Sequence, residues 1–439
     1  MDYLTASWSA LLDPFRCCFR AEVFATFSLM LPAWIVCLGR RTISRVWETT
    51  GHAATQSHCP AFRLFADAQW NWDELARILL VRLLAACVPG TRVWLVVDDT
   101  LCHKRGAKVA FGGIFLDAVL SSKRHKVFRF GLNWVTLGLV VQLPFRPDRP
   151  FCLNILWRLA RKKGSANAGA HRTKPQLARE LAEVVAGWLP NHKLIVLGDA
   201  AYMGKALLRG LPAHMFALGP IHRKAALTHP LAADAPKRRK IGAAWTTPAA
   251  ALADVSAGWQ ELRLCHAKGV KDLLVRVLAP CCWYAAAKDR PLQVVLVRDP
   301  AKHGKVWRNE ALLSMDLTLT PAEVINGYLQ RWSVEVAYCE SKQQLGLHDP
   351  MVRTEQAVER AHPLAWFAGS LVVLWYVTDG HQEPKAARQR PWYKDRVEPT
   401  FADMLWCCRL HLWTSWLNNE PATREEKWVW LVEYLATAA

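Results

Sequence analysis

The sequence contains no C-x-x-C pair and no cluster of cysteine and histidine at the spacing of a zinc site. Its thirteen cysteines follow no regular spacing, and six of them form the adjacent pairs Cys17-Cys18, Cys281-Cys282 and Cys407-Cys408. This pattern argues against a structural zinc and against a disulphide framework. It predicts reduced, mostly buried thiols in a cytosolic protein.

Uninterrupted apolar runs of membrane-spanning length are also missing. The stretch at 23–39 is broken by Pro32, falls short of about 20 residues, and is not followed by a small-residue cleavage site. The stretch Leu364–Thr378 is shorter still, which favours a buried helix. We therefore expect a soluble protein of the bacterial cytoplasm, associated with the nucleoid, with no membrane partner.

Acidic residues are scarce relative to basic ones. The chain of 439 residues has 56 Lys and Arg against 37 Asp and Glu, a formal charge of +19. Because binding to phosphates releases condensed counterions, this excess predicts a nucleic-acid partner. A basic solubility surface, a ribosomal protein and a membrane-surface protein remain alternatives at this point. The 52% hydrophobic content indicates a packed globular protein.

The order of predicted elements is that of a mixed α/β core. Residues 1–88 have helical periodicity, and 93–97 is a short β-branched run typical of a strand buried on both faces. Strand-like sequence at 127–143, a helix at 174–189 and a second buried strand at 194–197 follow.

The second half of the chain begins with a segment of different character. Residues 210–318 contain the basic run 237–240 and strand candidates at 273–278 and 292–297, so a second domain or an insertion is expected. Thr320 and Pro321 are typical of the N-cap and first position of a helix, predicted to run to about Gly346. An apolar helix from about Ala361, a basic linker at 384–391 and a Trp-rich helical tail close the chain.

Three acidic positions have the placement that metal-dependent chemistry requires. Asp98-Asp99 follows the first buried strand, Asp199 follows the second, and Glu335 lies in the helix after Pro321. Carboxylates at the ends of neighbouring strands meet at one edge of a sheet, where a hard divalent cation can bridge them. Any one of these acids alone is as consistent with a turn or a helix cap.

The helix that contains Glu335 strengthens this interpretation. At about 100° per residue, Tyr328, Arg331, Glu335 and Lys342 fall within about 60° of arc on one continuous helix. A solvated face with one Arg–Glu pair is the ordinary alternative. A carboxylate flanked by two cations and a phenol suits a metal-bound phosphodiester, because the cations neutralise adjacent phosphates.

These residues resemble the motifs of a known family. Tyr328, Arg331, Glu335 and Lys342, with two, three and six residues between them, resemble the Y-R-E-K signature of insertion-sequence-4-type DDE transposases. Residues 95–100 resemble that family's D-x-T site and 196–202 its second aspartate, with wording similar to the 701-type branch.

The resemblance implies an α/β fold with a ribonuclease-H-like catalytic core and a β-rich insertion, flanked by helical regions. The corresponding boundaries are 1–90 for an N-terminal helical DNA-binding region, 91–209 for the first part of the core, 210–318 for the insertion, 319–380 for the closing helices and 381–439 for a C-terminal helical tail.

The resemblance also implies residue roles. Asp98, Asp199 and Glu335 are expected to be catalytic metal ligands for Mg²⁺, with Mn²⁺ as a substitute. Tyr328, Arg331 and Lys342 are expected to contact DNA phosphates. The D-x-T pattern favours Asp98 over Asp99, and the doublet leaves both open.

The expected activity is cleavage of transposon ends and transfer of their 3′-hydroxyl strands into target DNA, by a homodimer on paired terminal inverted repeats. An inactive or domesticated DNA-binding protein on the same fold and another ribonuclease-H-like nuclease are the alternatives. Further candidates for DNA contact are the basic turn His103, Lys104, Arg105 and Lys108 and the run 237–240. Some members of the family hold a flipped base against a Trp, for which the insertion offers Trp245, Trp259, Trp283 and Trp307.

Overall fold

The computed structural model describes residues 5–106, 108–164, 171–236, 238–254, 256, 258–266, 269–300, 311–386, 392, 398–419 and 423–436. Trp307, Lys237 and residues 387–391 of the expected linker lie outside the described residues. In the described part the chain forms ten strands of one mixed sheet, with helices on both faces.

The N-terminal residues are helical, as their periodicity predicts. The helices are α1 (Ala6–Leu12), α2 (Ala21–Val36), α3 (Ile43–Thr49), α4 (Cys59–Ala66) and α5 (Trp72–Cys87), with 3-10 turns at Asp13–Cys18 and His52–Ala54. Pro32 lies inside α2 without ending it, and the second half of that helix is buried. These helices pack on the sheet and on later helices; for example, the Trp34 indole donates to the Leu345 carbonyl at 2.9 Å.

The first half of the sheet has the expected strands and helix. It contains β1 (Arg92–His103), β2 (Gly113–Leu116), β3 (Phe128–Leu143), β4 (Arg146–Ala160), α6 (Lys174–Trp188), β5 (Lys193–Leu197), α7 (Lys205–Leu208) and β6 (Met215–Pro220). Strand β1 pairs with β3 antiparallel and with β5 parallel, and β5 pairs with β6 parallel. The first two candidate acids, Asp98 and Asp199, therefore lie just beyond the carboxyl end of the paired region of the parallel strands β1 and β5.

The segment expected to be a β-rich insertion is joined to this same sheet. Besides β6, which falls within its expected bounds, its elements are α8 (Pro248–Ala253), β7 (Gln260–His266), β8 (Gly269–Cys281), α9 (Tyr284–Ala287), β9 (Leu292–Arg298) and β10 (Ala311–Ser314). Strand β10 pairs antiparallel with β6 and with β9. The resulting order is β2-β3-β1-β5-β6-β10-β9-β8-β7, with β4 also paired to β3. The strands from 210–318 therefore widen the core sheet on one side.

Helices close the structure at its C-terminal side. They are α10 (Pro321–Gln330), α11 (Ser333–Gln344), α12 (Glu355–Ala361), α13 (Leu364–Thr378), a 3-10 turn at Gly380–Gln382, α14 (Phe401–Asn419) and α15 (Arg424–Ala436). Thr320 caps α10 as predicted, in a capping box with Glu323. The stretch Glu355–Thr378 passes a length and composition test for a membrane span, but 83% of its most apolar window is buried within the protein. It is a core element of the fold.

Candidate functional site

Strand β1 carries two adjacent carboxylates that lie on opposite faces of the sheet. The sequence placed Asp98 just after a strand that ends at residue 97, and this was wrong, because β1 continues to His103. The reason is the antiparallel neighbour, since β3 pairs with β1 through this point (Asp98 with Thr136). The parallel partner β5 ends opposite Val96, so both acids lie where one side of β1 becomes free.

Asp99 is held by the protein itself. The Lys174 ammonium, at the start of α6, lies 2.5 Å from Oδ2 of Asp99. The Tyr202 hydroxyl donates to Oδ1 of the same carboxylate at 2.9 Å. Burial, followed by the charge of Asp99, raises the pKa of Tyr202, so this hydroxyl stays a donor. Both carboxylate oxygens of Asp99 are therefore engaged on the α6 side of the sheet.

Asp98 faces the other side, toward α10 and α11. Its side chain is 16% exposed, and the Arg331 guanidinium donates to its Oδ2 at 3.0 Å. The pKa of Asp98 is raised to about 7, chiefly by burial and also by the carboxylates of Asp199 and Asp99. The backbone N–H of Asp99 and the charge of Arg331 act in the opposite direction. A carboxylate whose burial and like-charged neighbours oppose ionisation has the environment of a cation ligand.

Asp199 is positioned by the turn that follows β5. Its Oδ1 accepts from the backbone N–H of Ala201 at 2.8 Å and of Tyr202 at 3.3 Å. Before it, Gly198 packs closely on Met203, since a Cβ there would lie 2.7 Å from Cε of Met203 and that side chain would have to shift. Burial raises the pKa of Tyr328, the neighbouring Arg331 lowers it, and the charges of Asp199 and Asp98 raise it. Asp98, Asp199 and Tyr328 thus share one electrostatic environment.

The segment with the Y-R-E-K spacing is not one continuous helix. Helix α10 ends at Gln330 and α11 begins at Ser333. The junction is tightened to 3-10 geometry, since the N–H groups of Arg331, Trp332 and Glu335 each bond to the carbonyl three residues earlier. The four side chains of the Y-R-E-K spacing therefore do not lie on one face of a single straight helix.

Arg331, at this junction, connects two of the candidate acids. One guanidinium nitrogen contacts Asp98 and the other contacts Oε1 of Glu335, both at 3.0 Å. Burial lowers the pKa of Arg331, but Asp98, Tyr328 and Glu335 together raise it above its usual value. The Arg–Glu pair of the ordinary alternative is present, and Arg331 also contacts Asp98, on a distant part of the chain.

Lys342 lies away from this group, in the last turn of α11. Its charge lowers the pKa of the Cys102 thiol, which burial holds at about 11, and contributes to the lowered pKa of His348. Lys342 is thus near the far end of β1. The fold brings together Asp98, Asp199, Tyr328, Arg331 and Glu335. Lys342 lies apart from them, toward the other end of α11.

The arrangement fits a divalent cation at Asp98 and Asp199. Mg²⁺ usually takes one or two carboxylates and completes its shell with water and substrate phosphates. Within the part of the chain that the structure describes, no group of three or more His, Cys, Asp and Glu has metal-binding geometry. Glu335 is separated from Asp98 by the Arg331 guanidinium, which contacts both. Asp98 and Asp199 therefore interact electrostatically, and the third candidate, Glu335, lies beyond an ion pair.

Sequence reasoning missed the residues that support these acids. Lys174 and Tyr202 both bond to Asp99. The sequence had indicated Lys174 only as the start of a helix and Tyr202 only as the last residue of the second-aspartate motif. Thr136, the cross-strand neighbour of Asp98, bonds to Asn154 at 2.9 Å and to the Tyr338 hydroxyl at 2.7 Å. Strand register brings these groups together, and no local pattern in the sequence reports it.

The basic turn after Asp98 is only partly available for phosphates. Lys104 donates to the carbonyls of His348 and Pro350 at 2.6 and 2.8 Å, and burial lowers its pKa to about 8. His103 lies 2.6 Å from the buried carboxylate of Asp117. The expectation of a phosphate contact is therefore wrong for Lys104, because its ammonium is engaged inside the fold. Arg105 and Lys108 are exposed.

The candidate tryptophans of the insertion have different environments. Trp245 is partly exposed and stacks on His229, with ring centroids 4.4 Å apart. The indole of Trp259 donates to the Asp254 carbonyl at 2.9 Å, and the Arg298 guanidinium lies over its ring. Trp283 is half-buried against the core. Trp245 therefore combines partial exposure with stacking on another ring.

A family model described as DDE superfamily endonuclease matches residues 14–269. The matched segment is more than half of the chain and contains Asp98 and Asp199, whereas Glu335 lies after its end. Among curated proteins, no sequence matches the chain.

Proposed function

The chain belongs to the DDE superfamily endonucleases, and from this premise we propose that it is a DNA transposase that cleaves transposon ends and transfers the 3′-hydroxyl strands into target DNA. Proteins of this family act on DNA and generally use divalent metals. The proposal assigns the chain to the insertion-sequence-4-like group with the Y-R-E-K signature, similar to its 701-type branch.

The observation that carries the proposal is the convergence of separate chain segments on Asp98. Arg331 contacts Asp98 and Glu335, 233 and 4 positions away, and the Asp199 carboxylate is near enough to raise the pKa of Asp98. Two carboxylates, an arginine and the phenol of Tyr328 at one sheet edge match the needs of phosphodiester chemistry. They offer a metal two hard ligands and a phosphate one cation.

In the proposed mechanism, Asp98 and Asp199 would hold Mg²⁺ or Mn²⁺, with Glu335 as the third proposed ligand once it is free of its ion pair with Arg331. When bound, such ions activate a water or 3′-hydroxyl and stabilise the leaving oxygen of a phosphodiester. Arg331 orients Asp98 and Glu335 through its two terminal nitrogens, and its positive charge would attract an entering phosphate. Tyr328, whose ring lies beside the Arg331 guanidinium, would contact the DNA backbone beside the cut. Lys342, about two helical turns after Glu335, would neutralise a more distant phosphate.

The ribonuclease-H-like core is part of the proposal. It is supported by a mixed sheet in which antiparallel β4, β3 and β1 continue into parallel β5 and β6. We further propose a homodimer on paired terminal inverted repeats, with residues 1–90 contributing to DNA binding. Some members of the family form DNA hairpins at the element ends, and for such a pathway we propose that Trp245 stacks on the flipped base.

A DNA-binding protein on the same fold that no longer cuts is the second candidate. The specific observation in its favour is that the ion pairs of Arg331 occupy Asp98 and Glu335 at 3.0 Å each. If these ion pairs persist on DNA, a metal has only Asp199 as an unshared ligand among the three acids. This alternative and an active transposase differ in whether the protein cuts.

The test uses the full chain and a plasmid that carries its gene with the flanking DNA. We expect nicking at the element ends in Mg²⁺ or Mn²⁺, loss of nicking in EDTA, and joined products when target DNA is added. Asp98→Ala, Asp199→Ala and Glu335→Ala should each lower the cleavage rate at least about a hundredfold. Glu183→Ala, which removes an exposed carboxylate paired with Arg179, is the matched control and should cleave normally.

Each outcome separates the candidates. Specific footprints on the flanking DNA without nicking in metal would favour the non-cutting protein. Nicking without joined products would identify another nuclease. An alanine variant that cleaves at the wild-type rate would remove that acid from the proposed site.

A further inference from the structure

Strands β2 and β3 form a two-stranded arm that extends beyond the catalytic sheet. Strand β1 ends at His103, opposite Gly131. Before Gly131, β3 pairs with β2, in the register Gly113–Gly131 to Leu116–Phe128. We call residues 113–131 the β2–β3 arm. It consists of these paired strands and the connection at 117–127.

One face of the β2–β3 arm is apolar and open to solvent. Ile114 is opposite Phe130 and Leu116 is opposite Phe128, and residues directly opposite each other share a face. Ile114, Leu116 and Phe128 are 57%, 44% and 59% exposed, and Val119 in the connection is 85% exposed. A contiguous apolar patch of this kind on a soluble protein marks an interaction surface.

The end of the arm is strongly basic. Lys123, Arg124 and Lys126 are all exposed, and Arg129 is exposed on the opposite face of the ribbon. The arm has a single acid, Asp117, whose buried carboxylate accepts from the N–H groups of Val119 and Leu120 and bonds to His103. Four cations thus stand on the arm without an exposed carboxylate, which favours a polyanionic partner.

The apolar face of the arm is on the same side of the sheet as Asp98. Thr136 is the cross-strand partner of Asp98, and side chains alternate along β3, so Phe128 and Phe130 share the face of Thr136. Phe128 is eight residues from Thr136, or about 27 Å at ~3.4 Å per residue. This corresponds to about eight base pairs of duplex. A duplex that lies across Asp98 can therefore extend to the arm.

We propose that the β2–β3 arm binds duplex DNA several base pairs from the cleavage site. A two-stranded ribbon is narrow enough to enter a groove, and apolar side chains such as Phe and Leu unstack base steps when they insert there. The tip cations bind phosphates on either side, while Phe128 and Leu116 contact the bases. This inference rests on the proposed function for the class of partner, and it adds a surface that the catalytic motifs do not contain.

A second copy of the chain is a less suitable occupant of this surface. Two arms that met through their apolar faces would bring eight cations of the same sign together. The chain as a whole already carries a formal charge of +19. Like charges in close contact oppose association, whereas phosphates would neutralise them.

The first test measures the affinity of the full chain for a labelled duplex of about 40 base pairs at several salt concentrations. The triple variant Lys123→Ala, Arg124→Ala and Lys126→Ala should lower the slope of log K against log salt by about 2 to 3, because each phosphate contact contributes about 0.9. The control removes three exposed cations outside the arm, the candidate site and residues 1–90, by Arg263→Ala, Lys385→Ala and Arg424→Ala, and should leave the slope close to that of the wild type. A wild-type slope in the arm variant would overturn the proposal.

The second test places 2-aminopurine at successive positions of the same duplex. Wild-type protein should raise its fluorescence at one step, and Leu116→Ala with Phe128→Ala should abolish that increase. Trp428→Ala, an exposed apolar side chain outside the arm, should leave it unchanged. If the arm variant instead loses self-association in sedimentation while its DNA slope is unchanged, the arm is a protein interface and the proposal is wrong.

Metal-dependent nicking is measured on the same preparations. Absence of nicking by the wild-type chain would refute the proposed function without affecting the salt slope. An active wild-type chain whose arm variants bind DNA normally would refute only the role of the arm.

Discussion

Adjacent carboxylates on β1 have opposite environments because consecutive side chains of a strand point to opposite faces. Asp98 shares its face with Arg331, near Asp199, while Asp99 is bound by Lys174 and Tyr202. The D-x-T pattern favoured Asp98 from the sequence. The physical reason is tertiary, since it depends on which helix covers each face. Asp98 as the metal ligand remains a prediction.

Single amide substitutions separate the two residues. Asp98→Asn should abolish cleavage while the protein stays folded, because it removes a negative charge that faces Asp199. Asp99→Asn should keep cleavage but lower the free energy of unfolding by about 1–3 kcal/mol, because the Lys174 ammonium and Tyr202 hydroxyl lose an ionised acceptor. Cleavage assays and urea denaturation check both. An Asp99→Asn protein of full stability and no activity would reverse the assignment.

At the scale of elements, the position of α10 on the sheet determines where Tyr328 and Arg331 lie. Gly327 is the point of closest approach, since a Cβ there would be 2.7 Å from the ring of Trp94 on β1. The sequence indicated this helix and its cap correctly, because Thr320, Pro321 and Glu323 are local signals. It did not indicate the 3-10 junction before α11, which has no proline or glycine to mark it.

Gly327→Ala should displace α10 and lower both stability and cleavage. Alanine favours a helix interior by about 1 kcal/mol, but here the methyl group meets the Trp94 ring, and crowding a packed interior costs about 1–3 kcal/mol. The matched control is Gly187→Ala in α6, where a Cβ meets nothing within 4 Å and should stabilise the protein by about 0.5–1 kcal/mol. Thermal unfolding and nicking rates test the pair. Equal stabilisation by both substitutions would contradict the close packing of α10.

At the scale of the whole molecule, one hydrophobic core runs from Trp8 to Trp416. Segments expected as separate regions are joined within it: the strands of 210–318 extend the core sheet, and α14 packs on α13 and α2. Arg409 of α14 donates to the carbonyls of Ile35 and Gln344 at 2.7 and 3.2 Å. The N-terminal helices, the closing helices and the first part of the tail therefore support one another.

Truncation distinguishes the two helices of the tail. Removal of the chain after Asn419 should leave the melting temperature nearly unchanged, because α15 exposes Trp428, Val429, Val432 and Leu435. Removal from Phe401 onward should prevent folding. It takes away the fully buried apolar side chains Met404, Leu405, Cys408 and Leu412, worth about 1.5–3 kcal/mol for each large one, against a typical total stability of about 5–15 kcal/mol.

Circular dichroism melting of both truncated chains provides the measurement. A cooperative melt of the protein that ends before Phe401 would show that α14 is not part of the core. A large loss of stability on removal of α15 alone would show packing that its exposed face does not indicate.

The sequence by itself determined the elements and the candidate acids, because periodicity, caps and motif spacing act within a few turns of chain. It predicted β3, α6, β5, β8, β9 and the cap of α10, and it singled out Asp98, Asp199 and Glu335. Only the tertiary structure decided that β1 runs past Asp98, that Arg331 bridges two acids, that Lys342 lies apart and that the insertion joins the core sheet. These features depend on strand pairing and on contacts between residues far apart in the chain, which short-range patterns do not encode.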